Sequence, residues 1–191
     1  AVALKSAYPG STLSFVCAPE LVELIALAPE VDHVIPFASG RRAGWISRAL
    51  RLAWRLRAGG YSIGVVSNAK KELHLAVWLA RIPQRVGYGR KWGWCLTKPL
   101  SDGKALGERH EVEYNFDLVG ALGRSVSNPP WRFPRLTQQR RAILQRLEAL
   151  GVASAPPLVA VHPWTSNPEK RWPLERFRRL VEAVVAAGLG T

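Results

Sequence analysis

The sequence predicts an α/β protein in which a mostly parallel sheet carries helices on both faces. Short apolar runs of strand length alternate with amphipathic segments of helical length along the chain, and this alternation is typical of parallel sheets. A segment rich in proline at residues 125–135 interrupts the pattern and reads as a linker. We therefore predict two α/β units in series, residues 1–134 and residues 135–191.

The elements of the first unit are predicted from apolar runs and from the residues that end them. A helix over residues 1–8 ends at Pro9 and Gly10, a pair that breaks helices. Later helices are expected where apolar residues recur at helical spacing, and Gly123 is expected to end the last of them. These helices are 20–28, 44–58, 71–81 and 111–122. The predicted strands are 12–17, 33–37, 62–66 and 85–88.

The second unit is predicted to contain a helix, a strand and another helix. Thr137 is expected to cap a helix that runs to Leu150. Residues 158–161 read as a short buried strand, and a last helix is expected from Pro173 to Gly188. Position 1 is not methionine, and the chain begins within a predicted helix and ends where another strand is expected. We expect both ends to be internal to a longer protein, so that the first unit lacks its first strand and the second is truncated.

Composition restricts the class of partner. The chain has 27 Lys and Arg against 14 Asp and Glu, a formal net charge of +13. Such a charge favours phosphates, nucleic acid, acidic glycans or an anionic membrane surface, and it does not choose among them. Cys17 and Cys95 lie in apolar or aromatic surroundings, so we expect reduced, buried thiols and a cytoplasmic location. No apolar run reaches the ~20 residues that span a bilayer, and no secretory signal opens the chain.

Residues 158–173, with the sequence LVAVHPWTSNPEKRWP, carry the clearest chemical signal. A loop between a strand and a helix lies at the carboxyl end of a parallel sheet, where the helix N-terminus favours anions. Thr165 and Ser166 offer hydroxyl donors and Lys170 offers a point charge, a set suited to a phosphate or diphosphate. An ordinary loop with a hydroxyl capping a turn and a solvated Lys170 explains the spacing equally well. His162 and Trp172 are expected to be structural residues.

A basic segment lies between residues 33 and 71, which contain no acidic residue. In its predicted helix, Arg48, Arg51 and Arg55 share one face. One interpretation is the solvated outer face of a helix that packs on the core, and the other is contact with an acidic acceptor or an anionic membrane surface. The other side of the helix is expected to be apolar, with Trp45, Ile46, Ala49, Leu50, Leu52, Ala53 and Leu56.

Residues 162–177 resemble the signature that opens the C-terminal half of family 9 glycosyltransferases, the heptosyltransferases. The family pattern is a strand, His-Pro-Gly, a hydroxyl-bearing loop, Lys-x-Trp-Pro and an amphipathic helix. Trp164 stands here where glycine is commoner, and a ring at this position would narrow the pocket or stack on the sugar or base of the donor. Five further segments resemble the family in the same order: 4–10, 28–35, 60–63, 79–88 and 110–115.

The resemblance implies a GT-B-like fold with two Rossmann-like domains and an active site in the cleft between them. Residues 1–134 would be the acceptor-side domain, and residues 135–191 would begin the domain that binds the nucleotide sugar. The implied donor is ADP-heptose or a similar nucleotide sugar, with Thr165, Ser166 and Lys170 on its phosphates. No metal or cofactor is implied.

The implied reaction is an inverting heptose transfer to the inner core of lipopolysaccharide. Its general base resembles an aspartate of a Gly-Asp loop expected before residue 1, so we assign no base and expect no transferase activity from these 191 residues alone. The implied acceptor, lipid A bearing Kdo sugars, is acidic and lies at the inner membrane. Arg41 and Arg42 are the candidates for binding it, and a peripheral contact with the inner face of that membrane is expected.

Three other functions are alternatives to heptose transfer. A family relative with another sugar nucleotide or another surface glycan fits, because Trp164 departs from the pattern. A nucleic-acid binder is disfavoured, since the basic residues are spread over many elements and no zinc-ligand spacing, RNP-like stretch or helix-turn-helix signal occurs. A non-catalytic module that binds a sugar phosphate stays open.

Overall fold

The computed structural model describes residues 1–39, 44–124, 136–152, 158–165 and 167–189. The chain forms two compact units, Ala1–Pro134 and Arg135–Thr191. The predicted linker at 125–135 lies outside the described residues, as do three of the predicted site residues: Arg41, Arg42 and Ser166.

The first unit alternates strands and helices, as the sequence predicted. Its helices are α1 (Val2–Ala7), α2 (Val22–Ile25), α3 (Trp45–Ala58), α4 (Lys71–Leu79) and α5 (Glu111–Gly120). Its strands are β1 (Ser14–Cys17), β2 (His33–Pro36), β3 (Ile63–Val66), β4 (Gln84–Tyr88) and β5 (Lys98–Leu100). Three 3-10 turns accompany them, at Pro19–Leu21, Gly93–Cys95 and Lys104–Leu106.

All strand pairs in the first unit are parallel. β1 pairs with β2, and β4 lies between β3 and β5 in a second sheet. The hydroxyl of Tyr61 donates to Oγ of Ser14 at 2.6 Å, which links the segment before β3 to β1. Because β3, β4 and β5 run parallel to one another, their carboxyl ends meet at one edge of their sheet. The loops that follow these strands lie at that edge.

Two elements of this unit differ from the prediction. The helix expected over 20–28 is the 3-10 turn Pro19–Leu21 followed by the single turn of α2. Strand β5 was not predicted, because it is three residues long and contains Pro99, which has no N–H for a ladder. Proline is tolerated there because β5 is an edge strand, with β4 as its one partner among the described strands.

The core of the first unit lies on both faces of β4. One cluster joins α3 and α4 to the sheet through the buried side chains of Leu52, Leu56, Val77 and Ile82. The other cluster joins the sheet to α5 and consists of Val86, Tyr88, Tyr114 and Leu118. This is the layered arrangement that alternating strands and helices predicted.

The two cysteines are free thiols, as predicted. Cys17 and Cys95 are both buried, and burial raises the pKa of each thiol. A raised pKa keeps a thiol protonated and unreactive, so both cysteines pack as small apolar residues.

The second unit contains α6 (Thr137–Ala149), a 3-10 turn at Pro168–Lys170 and α7 (Leu174–Ala186). The prediction that Thr137 caps α6 is wrong, because Leu136 occupies the N-cap position and no side chain bonds the helix end. The buried strand predicted at 158–161 is also wrong. Leu158, Val159 and Val161 are exposed and form no strand, since the described part of this unit offers no second strand to pair with them.

None of the described helices combines the length and the apolar character needed to cross a membrane.

Candidate functional site

The loop before α7 is ordered by its own polar side chains. The backbone N–H of Asn167 donates to Oγ1 of Thr165 at 3.3 Å. Oδ1 of Asn167 in turn accepts from the backbone N–H of Glu169 at 3.0 Å, which caps the 3-10 turn Pro168–Lys170. Pro168 begins this turn, where its missing N–H costs nothing. The Asn-Pro pair in the sequence is a signal for such a turn, although Asn167 was not among the predicted site residues.

Thr165 and Lys170 keep their donors available. Oγ1 of Thr165 accepts a hydrogen bond with a lone pair, so its hydroxyl proton is free to donate to an anion. Lys170 is exposed at the end of the turn, and its side chain has no hydrogen bond or ion pair with any described residue. The loop therefore presents one hydroxyl donor and one ammonium group to the solvent.

The start of α7 adds a positive helix end near Lys170. Pro173 takes the N-cap position, and the backbone N–H of Arg176 already donates to its carbonyl at 3.0 Å. Glu175 lies in the first turn, where a carboxylate would repel an anionic ligand. Its charge is offset, because the guanidinium of Arg178 donates to it at 2.9 and 3.1 Å and thereby lowers the pKa of Glu175.

The aromatic residues beside this loop differ in their environment. The ring of Trp172 packs edge-on against Phe177 of α7, with ring centroids 5.0 Å apart, which fits the structural role expected for it. Trp164 is 68% exposed, so its ring is available for stacking. His162 is exposed and forms no hydrogen bond in the described part of the loop, so the expected hydrogen-bonded structural role is not observed.

In the first unit, polar residues meet at the carboxyl edge of the sheet. Nζ of Lys70, after β3, donates to Oγ of Ser39, after β2, at 2.6 Å. Ser39 directly precedes the segment that contains Arg41 and Arg42, whose structure is not described. The contact joins Lys70, which was not predicted as a site residue, to Ser39.

Lys104 lies at the same edge, after β5. Its ammonium pairs with the carboxylate of Glu111, reaches the carbonyl of Ser67 at 3.4 Å and lies 4.7 Å from the ring centroid of Tyr88. The hydroxyl of Tyr88 donates to the backbone carbonyl of Tyr114. Burial raises the pKa of Tyr88 to about 12, and the neighbouring carboxylates add to that shift, so this phenol stays protonated. Tyr88 is therefore a fixed structural donor.

An aromatic cluster extends from this edge and was not predicted. Trp45 and Trp92 pack edge to face with ring centroids 5.4 Å apart, and Trp94 lies 5.4 Å from Trp92. The ammonium of Lys71 lies 4.1 Å from the centroid of the Trp45 ring, a cation–π contact. Sequence spacing could not reveal this cluster, because Trp45 and Trp92 belong to segments 47 residues apart.

Two aspartates of the first unit are engaged by other partners and are not placed as a general base. Asp32 precedes β2, at the opposite edge, and accepts from the backbone N–H of Leu13 and from Lys5, each at 2.6 Å. These bonds lower its pKa. Asp102 pairs with Arg90 at 3.4 Å and accepts from the backbone N–H of Lys104. We therefore assign no general base.

No group of three or more His, Cys, Asp or Glu side chains is placed to hold a metal ion within the described ranges.

A family model matches the chain. Residues 49–191 match the model of glycosyltransferase family 9, the heptosyltransferases. The chain is also 24% identical to lipooligosaccharide heptosyltransferase 2 of Haemophilus ducreyi, over 97% of this chain and 55% of that protein.

Two solved structures share the fold. One is a family 9 glycosyltransferase from Veillonella parvula, with a TM-score of 0.81 and 22% identity over 98% of this chain and 54% of that one. The other is the ADP-heptose heptosyltransferase II of E. coli, with a TM-score of 0.70 and 20% identity over 98% and 56% of the two chains. The chain has the GT-B-type α/β fold that the sequence predicted. It spans about half the length of the relatives it matches.

Proposed function

Because the chain belongs to glycosyltransferase family 9, we propose that it is part of an enzyme that moves heptose from ADP-heptose onto the inner core of lipopolysaccharide. The proposed reaction inverts the anomeric carbon and takes place in the cytoplasm, at the inner face of the inner membrane. Residues 135–191 contribute to donor binding and residues 1–134 to acceptor binding.

The free donors of the loop before α7 are the observation that carries this proposal. A diphosphate is bound by hydrogen-bond donors and positive charge, because its own oxygens are negatively charged acceptors. The free hydroxyl proton of Thr165 and the unpaired ammonium of Lys170 meet that need. Ser166, which lies between them in the sequence, is proposed to add a second hydroxyl. Lys170 would also stabilise the charge that develops on the departing ADP, without a metal ion.

Acceptor binding is proposed for the carboxyl edge of the first unit. Arg41 and Arg42 follow Ser39, which Lys70 holds by a hydrogen bond. Lys71 follows Lys70 in the chain, and its ammonium lies 4.1 Å from the centroid of the Trp45 ring. An acceptor that carries phosphates and sugar carboxylates needs cationic side chains, and no acidic residue occurs between positions 33 and 71 to repel it.

The test is a charge deletion at Lys170 in the protein that contains this chain. Lys170→Ala should lower kcat/KM for heptose transfer by at least ~100-fold, as expected for the loss of a ~3 kcal/mol electrostatic contact. The melting temperature should not change, because this side chain is exposed and forms no hydrogen bond or ion pair with a described residue.

Arg171→Ala is the matched control. Arg171 is adjacent, exposed and equally charged, and we expect its removal to cost less than ~10-fold, the range of a screened surface charge. Near-normal turnover in Lys170→Ala, or an equal loss in both variants, would refute the role given to Lys170. Failure of the wild-type protein to bind any nucleoside-diphosphate sugar would refute the function itself.

A second candidate is transfer of a different activated sugar, or transfer to a different surface glycan. Trp164 favours it, because an exposed ring at this position can stack on a sugar or a base and narrow the pocket. A screen of ADP-, GDP- and UDP-activated sugars would separate the two candidates. Selective turnover of a donor other than ADP-heptose would establish the second, and binding without turnover would indicate a non-catalytic module.

A further inference from the structure

Helix α3 exposes an apolar stripe that does not belong to the core. Ile46, Leu50 and Trp54 are four residues apart and therefore lie along one side of the helix. Their exposed fractions are 52%, 52% and 75%. The sequence placed Ile46 and Leu50 on the apolar side of the helix together with Leu52 and Leu56, but Ile46 and Leu50 are exposed. The core is covered instead by another face of α3, formed by Ala49, Leu52, Ala53 and Leu56.

Two more exposed tryptophans lie on elements of the same layer as the stripe. α3 packs against α4, and α4 packs against the 3-10 turn Gly93–Cys95, so these three elements form one layer. Trp78 of α4 and Trp94 of the turn are both exposed, and their rings meet edge to face at a centroid distance of 5.4 Å. Single exposed apolar residues are normal on a protein surface, but a row of large ones across adjoining elements marks an interaction site. We call Ile46, Leu50, Trp54, Trp78 and Trp94 the apolar surface.

The charges around the apolar surface have one sign. Arg51 and Arg57 of α3 and Arg81 after α4 are exposed, and none of them forms an ion pair with a described residue. From position 33 to position 101 the sequence has one acidic residue, Glu72, and that side chain is buried. A partner that covers this surface must therefore be apolar and must carry negative charge.

We propose that the apolar surface docks the protein onto an anionic lipid bilayer, with the tryptophan, leucine and isoleucine side chains at the level of the headgroups. Tryptophan favours this interfacial region, where its ring is half apolar and its N–H meets water. A helix with an apolar stripe flanked by arginines lies in the plane of the interface, and each arginine adds attraction to anionic lipid. The inference deepens the proposed function, since an enzyme that glycosylates a lipid-anchored acceptor must work at a bilayer.

The test measures sedimentation of the full chain with vesicles of phosphatidylcholine, with and without about one third phosphatidylglycerol. The wild type should bind the anionic vesicles, bind neutral ones at least about tenfold more weakly, and dissociate as salt rises. The double variant Leu50→Ser/Trp54→Ala should lose at least about tenfold in partitioning, because burying either side chain in an apolar medium contributes more than that factor.

The matched control replaces two exposed apolar residues outside the layer. Leu21 and Leu24 are 43% and 48% exposed, near and within α2, and Leu21→Ser/Leu24→Ser should partition within about twofold of the wild type. Circular dichroism must show equal helix content and melting for both double variants, since all four residues are exposed. If the first pair fails to fold, Arg51→Gln/Arg57→Gln tests the same surface and should also weaken binding to anionic vesicles.

Three results would overturn the proposal. They are no binding of the wild type to anionic vesicles, equal partitioning of the wild type and Leu50→Ser/Trp54→Ala, or a self-associated wild type that this double variant converts to monomer without any vesicle binding. The proposed function is tested separately, by transfer to a water-soluble, delipidated acceptor. Transfer without vesicle binding would refute the docking surface alone, and vesicle binding without transfer to any acceptor would refute the function alone.

Discussion

Gly87 gives the sharpest test of the packing that positions the carboxyl edge of the first unit. It lies inside β4, opposite Val66 of β3 and Pro99 of β5. A β-carbon at this position would lie 2.8 Å from the carbonyl oxygen of Val66, 3.1 Å from its Cβ and 3.2 Å from Cδ1 of Leu96. The nearest of these is a backbone atom in a hydrogen-bonded strand, so it cannot rotate away as a side chain would.

The expected cost of Gly87→Ala follows from two opposing effects. Forcing an extra methyl group into a packed core destabilises the fold by ~1–3 kcal/mol. Alanine also lowers the conformational entropy of the unfolded chain, which stabilises the fold by ~0.4–1 kcal/mol. The net loss should be roughly 1–2 kcal/mol, which lowers the melting temperature of a unit of this size by roughly 3–10 °C. Thermal denaturation followed by far-ultraviolet circular dichroism measures the shift.

Gly64→Ala is the matched control, because Gly64 lies in the neighbouring strand β3. Its β-carbon would meet Ile82 at 3.4 and 3.6 Å and Val77 at 3.5 Å, which are ordinary van der Waals distances. This variant should melt at the wild-type temperature or slightly above it. The reasoning fails if Gly87→Ala melts with the wild type, or if the two alanine variants are destabilised equally.

Two other predictions concern a buried histidine and the turn before α7. His74 is fully buried on α4, and burial lowers its pKa below 6.5 against a smaller opposing effect of the Lys91 backbone. As the pH falls, His74 is therefore protonated in the unfolded chain before it is protonated in the folded one. Its contribution to the free energy of unfolding is complete above pH ~6.5 and decreases as the pH drops below that value. In urea titrations at two pH values, one on each side of 6.5, His74→Leu should gain stability relative to the wild type at the lower pH, and a pH-independent difference would contradict this. Asn167→Ala removes the cap worth ~1 kcal/mol from the turn that carries Lys170 and should weaken nucleotide-sugar binding roughly threefold to tenfold in calorimetry. Asn167→Ser keeps a capping oxygen and should bind normally, and equal affinity in the alanine and serine variants would exclude a role for the cap.

Local sequence signals predicted most elements of the first unit. The spacing of its apolar residues indicates the type of each element, and nearby glycine or proline residues indicate where it ends. Helix α3 was predicted over 44–58 and is observed at Trp45–Ala58. Strand β5 shows the limit of such signals. It is a strand only because Val86, Gly87 and Tyr88 offer it a partner in register, and that pairing is a property of the tertiary fold.

The faces of α3 show a second limit. Its apolar residues cover too wide an arc for one packing surface, and the sequence does not say which of them meets the sheet and α4. The structure covers Leu52 and Leu56 and leaves Ile46 and Leu50 in solvent. For the candidate site, the motif nominated Thr165 and Lys170 because the pattern is local, and their role stays a prediction. The Lys70–Ser39 contact joins residues 31 positions apart and could not be read from spacing.

The net charge of +13 is distributed unevenly, and this asymmetry links the two proposals. In the first unit, several acidic residues outside the layer of α3 and α4 are held in ion pairs: Asp32 with Lys5, Asp102 with Arg90, Glu111 with Lys104 and Asp117 with Arg109. Arg51 and Arg57 of α3 form no ion pair with a described residue and lie on the helix that carries the apolar surface, so their charge is available to a partner outside the unit. Lys170 is also unpaired, but it lies beside a hydroxyl donor and a helix end and has no apolar stripe around it. Long-range charge can orient a protein on an anionic surface, whereas recognition of a diphosphate needs donors fixed at short range. The two proposals therefore assign different tasks to the same excess of basic residues, according to the immediate neighbours of each cation.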